Sequence, residues 1–163
     1  MAAGKTYEPI ATTTLSTTAT SVTFSSIPGT YTDLVIASAI ISNSTSNDTK
    51  VQFNNDTNSN YSMTRMYGES STVGSDRSTN ATSMHLGRNS TTITPNIFHI
   101  MNYSNTTTYK TALGRSGFGN GIVLANVGLW RSTSAITSVT ILITGGDTFS
   151  ANSTFTLYGI AAA

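Results

Sequence analysis

The sequence predicts an all-β chain: an antiparallel β-sandwich, jelly-roll-like, of about eight to eleven short strands. Three observations predict it. Apolar residues alternate with Ser, Thr and Asn through most of the chain, which is the period of a half-buried strand. Turn residues recur at short intervals, and no stretch carries the spacing of an amphipathic helix. Ser (23), Thr (31) and Asn (14) make 68 of the 163 residues while Asp, Glu, Lys and Arg make only 15, so hydroxyls and amides must cover the surface where an ordinary domain uses ions. That last feature excludes a coiled coil or a charged helical bundle.

The elements follow in order. Tyr7 to Thr12 opens the chain, and Ser21 to Ile27 alternates up to the turn signal Pro28-Gly29. Asp33 to Ser42 is apolar on both faces for part of its length, which marks a central strand. Lys50 to Asn54, Ser62 to Tyr67, Ser83 to Arg88, Ile97 to Tyr103 and Tyr109 to Arg115 are shorter runs of β-branched and aromatic residues. Asn120-Gly121 signals a hairpin before Ile122 to Trp130. Ala135 to Thr144 ends at Gly145-Gly146-Asp147, and Ser153 to Ile160 closes the chain as the expected neighbour of the first strand. Ile122 to Trp130 and Ala135 to Thr144 are also two-sided and are expected in the interior of a sheet. Ser42 to Asn60 and Gly68 to Asn80, almost wholly Ser, Thr, Asn, Asp and Gly, are expected as loops around the short Lys50 to Asn54 strand.

Length suits one sandwich domain over residues 1–163, with residues 1–6 as a flexible arm. There is no Cys, hence no disulfide framework and no thiolate metal site. The opening Met1 to Pro9 lacks the apolar core of a signal peptide and no run reaches a membrane span, so the expectation is a soluble protein made in the cytoplasm. Formal charge is +1 with scattered Lys and Arg, and neither nucleic acid nor an anionic membrane is an expected partner. Nine Asn-x-Ser/Thr sequons begin at Asn43, Asn47, Asn55, Asn60, Asn80, Asn89, Asn102, Asn105 and Asn152, and composition accounts for most of them.

Chemistry is sparse. The carboxylates Glu8, Glu69, Asp33, Asp48, Asp56, Asp76 and Asp147 lie mostly at turns, where they cap backbone rather than pair for acid-base work. His85 and His99 are the imidazoles available to a triad, and His99 falls in an alternating run. Gly114-Arg115-Ser116-Gly117 is not a nucleophile elbow, and Gly117-Phe118-Gly119-Asn120-Gly121 lacks the helix a phosphate loop requires. Asp48, Asn54, Asn55, Asp56 and Asn58 offer calcium-type oxygens in an order that matches no EF-hand. Tyr61, Tyr67, Tyr103, Tyr109 and Trp130 are the aromatics a sugar site would draw on, though on sheets such residues pack across strands. The Thr tract from Ala11 to Thr20 is too isolated for an ice-binding lattice. The expectation is no enzyme, with no catalytic, cofactor-binding or metal-binding residue.

Four pieces recur together: Tyr7-Glu8-Pro9-Ile10-Ala11-Thr12, the run Val22 to Leu34 around Ile27-Pro28-Gly29-Thr30-Tyr31, Phe53-Asn54-Asn55-Asp56 with Asn60-Tyr61-Ser62, and Ser153-Thr154-Phe155-Thr156-Leu157-Tyr158-Gly159-Ile160. As a set, spanning nearly the full chain, they resemble the small virion structural proteins of tailed bacteriophages, in particular capsid decoration (cement) proteins. Asn55 departs from that pattern, where Gly is common. The resemblance implies a non-enzymatic virion protein on the capsid surface, bound to the major capsid protein, self-associated as a homotrimer and stabilising the assembled shell. It transfers no functional residue. The alternatives are a phage tail or fibre component that binds host-surface glycan, or a non-viral carbohydrate-binding or adhesive module.

Overall fold

The computed structural model describes residues 6–45, 47–118 and 121–161. Among these residues all regular structure is strand: β1 (Tyr7–Thr14), β2 (Ser21–Phe24), β3 (Asp33–Ile40), β4 (Asp48–Phe53), β5 (Tyr61–Glu69), β6 (Thr72–Ala81), β7 (Met84–Arg88), β8 (Thr94–Met101), β9 (Lys110–Phe118), β10 (Ile122–Trp130), β11 (Val139–Ile143) and β12 (Thr154–Ile160). They form two antiparallel sheets packed face to face, a β-sandwich. The larger runs β1-β12-β3-β8-β9-β10-β5-β6 and the smaller β2-β11-β4-β7.

Two hairpins, β5-β6 and β9-β10, stand apart from the rest. Without them, β1-β12-β3-β8 faces β2-β11-β4-β7, which is the two-times-four strand order of a jelly roll. The first and last strands are neighbours as expected, Tyr7 standing opposite Ile160 and Thr14 opposite Thr154. The hairpins extend one edge of the roll by four strands, and the extended sheet overhangs its smaller partner. That overhang shapes both surfaces considered below.

Alternation builds the core. On the inner face of the large sheet Leu34 lies opposite Ile100 and Ile100 opposite Ala112, with Ile36 opposite Phe98 in the next row. All are buried, and Val51, Phe53, Met84, Leu86, Val139 and Ile141 of the small sheet meet them. A fully buried side chain of this size contributes about 1.5–3 kcal/mol, so a few such rows hold the layers together. Trp130 closes one end, its ring 5.6 Å from Phe53 and stacked on Tyr61 at 6.3 Å.

The three strands expected in sheet interiors are all flanked on both sides: β3 by β12 and β8, β10 by β9 and β5, β11 by β2 and β4. Gly145 and Gly146 adopt positive φ after β11, the turn their side-chain-free backbone permits. Four expectations need correction. The stretch Gly68 to Asn80 is not a loop but mostly the β5-β6 hairpin, turning at Ser70 with φ 53°. Among the described residues twelve strands form against the eleven candidates, β6 being the extra one. Strand β11 begins at Val139 rather than Ala135, since Thr137 and Ser138 give their N–H groups to Asn54 Oδ1 at 2.8 and 3.1 Å. Strand β2 stops at Phe24, and Ile27 bonds instead to the Thr137 carbonyl at 3.0 Å. Residues 1–5 of the expected arm, and Gly119 and Asn120 of the expected hairpin turn, lie outside the described residues. The strands flanking that turn pair at Phe118 and Ile122.

Candidate functional site

Among the described residues no layer covers the outer face of the large sheet. Strand pairing places its residues in transverse rows. One row runs Val35, His99, Leu113, Val127, Thr64, Arg77 across β3, β8, β9, β10, β5 and β6. The next runs Ala37, Ile97, Arg115, Ala125, Met66, Ser75 over the same strands. A third carries Ala39, Pro95, Gly117, Val123, Gly68 and Val73. Val73 is 86% exposed, Val123 65%, Met66 62%, Leu113 51% and Val127 48%. These are large apolar side chains side by side in water. With strands about 4.8 Å apart and same-face residues about 6.6 Å apart, the four strands β9, β10, β5 and β6 by three rows span on the order of 400 Å², the size of the largest patches on monomers.

The face is grooved. Where Met66, Val73 and Val123 rise around Gly68, a depression of about 770 Å³ opens between β10, β5 and β6. A second, of about 330 Å³, lies among Tyr7, Val35, Ile97, His99 and Leu113. Charge is confined to the margins, with one exception. His99 Nε2 sits 2.8 Å from Asp33 Oδ2 toward one end, and Arg77 stands at the other. Arg115 is the exception: it stands between Ile97 and Ala125 in the middle row and makes no ion pair or hydrogen bond among the described residues.

The inner face of the overhang is charged instead. Asp48 Oδ2 lies 2.6 Å from His85 Nε2, with Lys50 Nζ at 3.8 Å, and Asp48 Oδ1 is 3.6 Å from Arg65 Nη1. Arg65 donates Nε to Asp76 at 2.7 Å, and Arg88 reaches Glu69 at 3.4 Å. Jelly-roll strands β4 and β7 are thus tied to the added strands β5 and β6 through ion pairs. Burial pushes the His85 imidazole below its ordinary range despite the Asp48 carboxylate. Burial opposes ionisation of Asp48, but the hydrogen bond and charge of His85, with Lys50 and Arg65, outweigh it and hold that carboxyl below its usual range. His85 Nδ1 is buried without a partner among the described residues. His85 Nε2 instead faces Asp48 and Arg65, and His99 Nε2 faces Asp33.

The remaining residues singled out from the sequence do not converge. Asp56 Oδ2 accepts from Trp130 Nε1 at 2.7 Å and from Asn60 at 2.9 Å, while Oδ1 accepts from Asn58. These bonds together outweigh burial and lower its pKa, so this carboxylate fixes a turn. Asn54 caps the segment before β11, Asn55 continues the turn at φ 55°, and Asp48 belongs to the charged cluster. Among the described residues, no three His, Asp or Glu side chains gather as metal ligands would. Tyr61 and Tyr103 are wholly buried, Tyr109 is exposed, and Tyr67 lines the charged cavity taken up below. The outer face lacked a motif, yet it had a signal: the two-sided apolar pattern of Ile122 to Trp130. No family model matches the chain, and no curated protein matches it.

Proposed function

We propose that the chain is a non-enzymatic virion structural protein that docks on an assembled phage shell through the outer face of its large sheet, as a capsid decoration protein. One observation carries this reading: five exposed apolar side chains, Leu113, Val127, Val123, Met66 and Val73, stand on adjacent strands β9, β10, β5 and β6, with Arg115 beside them and unpaired among the described residues. Protein–protein interface cores have this composition, depleted in charge but enriched in Met, aromatic residues and Arg. Most of the exposed apolar side chains belong to β9, β10, β5 and β6, strands a jelly roll does not require. Their outward side chains take no part in the core, so that surface is free to serve something else.

Arg115 discriminates between occupants. Two copies packed face to face about a two-fold axis through the patch would bring their Arg115 side chains together, a like-charge contact. A different protein with a carboxylate or carbonyl opposite Arg115 satisfies it. The homotrimer that the family resemblance implies is compatible if its contacts use other surfaces. Shell stabilisation then follows by mass action, because a protein that binds only the assembled lattice shifts the equilibrium toward it. Jelly rolls recur in viral coat proteins and in lectins, which is fold-level analogy and leaves the partner to be tested.

The test is co-sedimentation with empty tailed-phage capsids. The wild-type chain is expected to pellet with capsids, and Val123→Asp and Leu113→Asp to stay in the supernatant as folded proteins. A wild-type chain left in the supernatant, or variants that pellet equally well, would overturn the reading.

A further inference from the structure

We propose that the charged cavity at the open end of the sandwich, where β4 and β7 meet β5 and β10, binds one ring of a neutral sugar. Its charged residues lie off the docking face, although Tyr67 and Leu124 also border the depression on that face. Side chains alternate along a strand, so Tyr67 and Leu124 project to the inner side of the large sheet while Met66 and Val123 project outward. The inference rests on Asp48, Glu69 and Arg88, which line this cavity and not the depression on the docking face.

Size comes first. The cavity encloses about 240 Å³. Drug-sized ligands take pockets of about 300–1,000 Å³ and a liquid water about 30 Å³, so the space suits one small ring and its hydroxyls rather than a large ligand.

Charge decides the class. Asp48, Arg65, Glu69 and Arg88 line the cavity together with Tyr67, Ile122 and Leu124. The two carboxylates and two guanidiniums sum to zero, and Lys50 and Asp76, flanking them, also cancel. An anion entering here meets carboxylates and a cation meets guanidiniums, so neither gains a net field. Six of the chain's fifteen Asp, Glu, Lys and Arg residues nonetheless meet at this one end. In a protein that covers itself with hydroxyls, that concentration calls for a polar ligand without net charge.

Hydrogen-bond capacity matches a polyol. Each cation already faces an acid, Arg88 at 3.4 Å from Glu69 and Arg65 at 2.7 Å from Asp76. A zwitterion would have to break these pairs. A hydroxyl both donates and accepts, so neighbouring ring hydroxyls can give protons to Glu69 and take them from Arg88 while the pair stays intact. Among the described residues, one of the five N–H donors of Arg88 is used, at Nη1. Tyr67, with the Arg65 guanidinium 5.8 Å from its ring centre, and the side chains of Ile122 and Leu124 supply apolar surface for the C–H side of a sugar ring.

The test is an NMR titration of the full ¹⁵N-labelled chain with methyl α-glucoside, methyl α-mannoside and methyl β-galactoside, with inorganic phosphate and glycine as charged and zwitterionic comparators. At least one glycoside is expected to give saturable shifts centred on the amides of Tyr67, Glu69, Arg88 and Ile122, with Kd in the range of about 1–10 mM. Glu69→Gln and Arg88→Gln, whose parent side chains are 45% and 34% exposed, are each expected to weaken binding about tenfold while the amide spectrum stays that of the folded chain. Both variants should still pellet with capsids if the wild-type does, which keeps this site's failure distinct from that of the docking face. Absence of saturable shifts with all three glycosides, indifference to both substitutions, or tighter saturation of the same amides by phosphate or glycine would overturn the proposal.

Discussion

The ring of Tyr31 occupies the space that a side chain at Gly159 would need. These residues come from opposite ends of the chain, and Thr32 N–H bonds the Ile160 carbonyl beside them at 2.9 Å. The turn before β3 is thereby locked onto the last strand. Gly159→Ala should cost about 1–3 kcal/mol, the usual range for overpacking. In a Tyr31→Ala background the same methyl has room, so the two substitutions should be less than additive in chemical denaturation. Full additivity would show that Tyr31 is not the obstacle.

Much of the fold was legible because alternation reports burial directly. Asp33 to Ser42 reads as two-sided, and β3 buries Leu34, Val35 and Ile36 in succession. At Ile122 to Trp130 the pattern placed β10 inside its sheet, as expected, but among the described residues only one of its faces is covered, and Val123 and Val127 remain in water. Strand β6 left no trace in the pattern. It is an edge strand on the overhang, exposed along most of its length, so no packing selects apolar residues there. Its place is set by pairing with β5, which composition does not encode. The charged cavity was illegible for a different reason. Asp48, Arg65, Asp76, His85 and Arg88 sit at unremarkable spacings and meet only because the β5-β6 hairpin folds back over β4 and β7. Lys110 likewise reads as a surface residue, yet it is wholly buried with Nζ donating to the Thr108 and Thr133 carbonyls at 2.7 and 3.2 Å.

Stability should fall as pH drops below about 6.5. Burial holds His85 below its ordinary value of 6.5, so between that value and its folded-state pKa the unfolded chain binds a proton the native chain refuses. Protonation would also put a second N–H on Nδ1, which has no acceptor. Below pH 3.8 the loss steepens, because the Asp48 carboxylate is favoured in the native state. Urea midpoints at pH 7.5 and pH 5 should differ in the wild-type chain and differ less in His85→Gln. An unchanged difference in the variant would assign the effect elsewhere.

Asn54 carries a turn by two means at once. Its φ is 51°, and its side chain donates to the Ala135 carbonyl at 2.8 Å while accepting from Thr137 and Ser138. Asn54→Ala loses the hydrogen bonds and adds a left-handed strain, for about 3 kcal/mol in total. Asn54→Gly loses the bonds alone, for about 2 kcal/mol. The Gly variant should therefore be the more stable of the two in denaturant. The reverse order would show that φ strain contributes nothing at this turn.

Docking by the outer face should depend weakly on salt, since the patch carries one central charge. Raising ionic strength from 50 to 500 mM is expected to change capsid affinity by less than about tenfold, far less than a surface that neutralises many charges would show. Arg115→Ala should weaken binding more than the salt does, because truncation leaves the partner's acceptor buried and unpaired. Stability should hold, as Arg115 makes no contact that folding needs. A steep salt dependence with no effect of Arg115→Ala would place the contact on another surface.

Ending the chain after Asn152 should yield aggregated protein. The deleted strand β12 bonds to β1 on one side and β3 on the other, from Tyr7 opposite Ile160 to Thr154 opposite Ala39. It also carries Phe155 and Leu157 into the core, and Phe155 packs on Phe149 at 5.1 Å. Losing two such side chains removes about 3–6 kcal/mol of burial, a large fraction of the 5–15 kcal/mol that holds a domain folded. What remains exposes the full edge of β3, with Leu34, Val35 and Ile36 in sequence, and strands of that kind pair with one another. Size-exclusion chromatography and a thermal melt decide the matter. Soluble monomer that unfolds cooperatively would mean that β1 and β3 hold without their shared partner, and that the jelly roll closes by its layers rather than by its last strand.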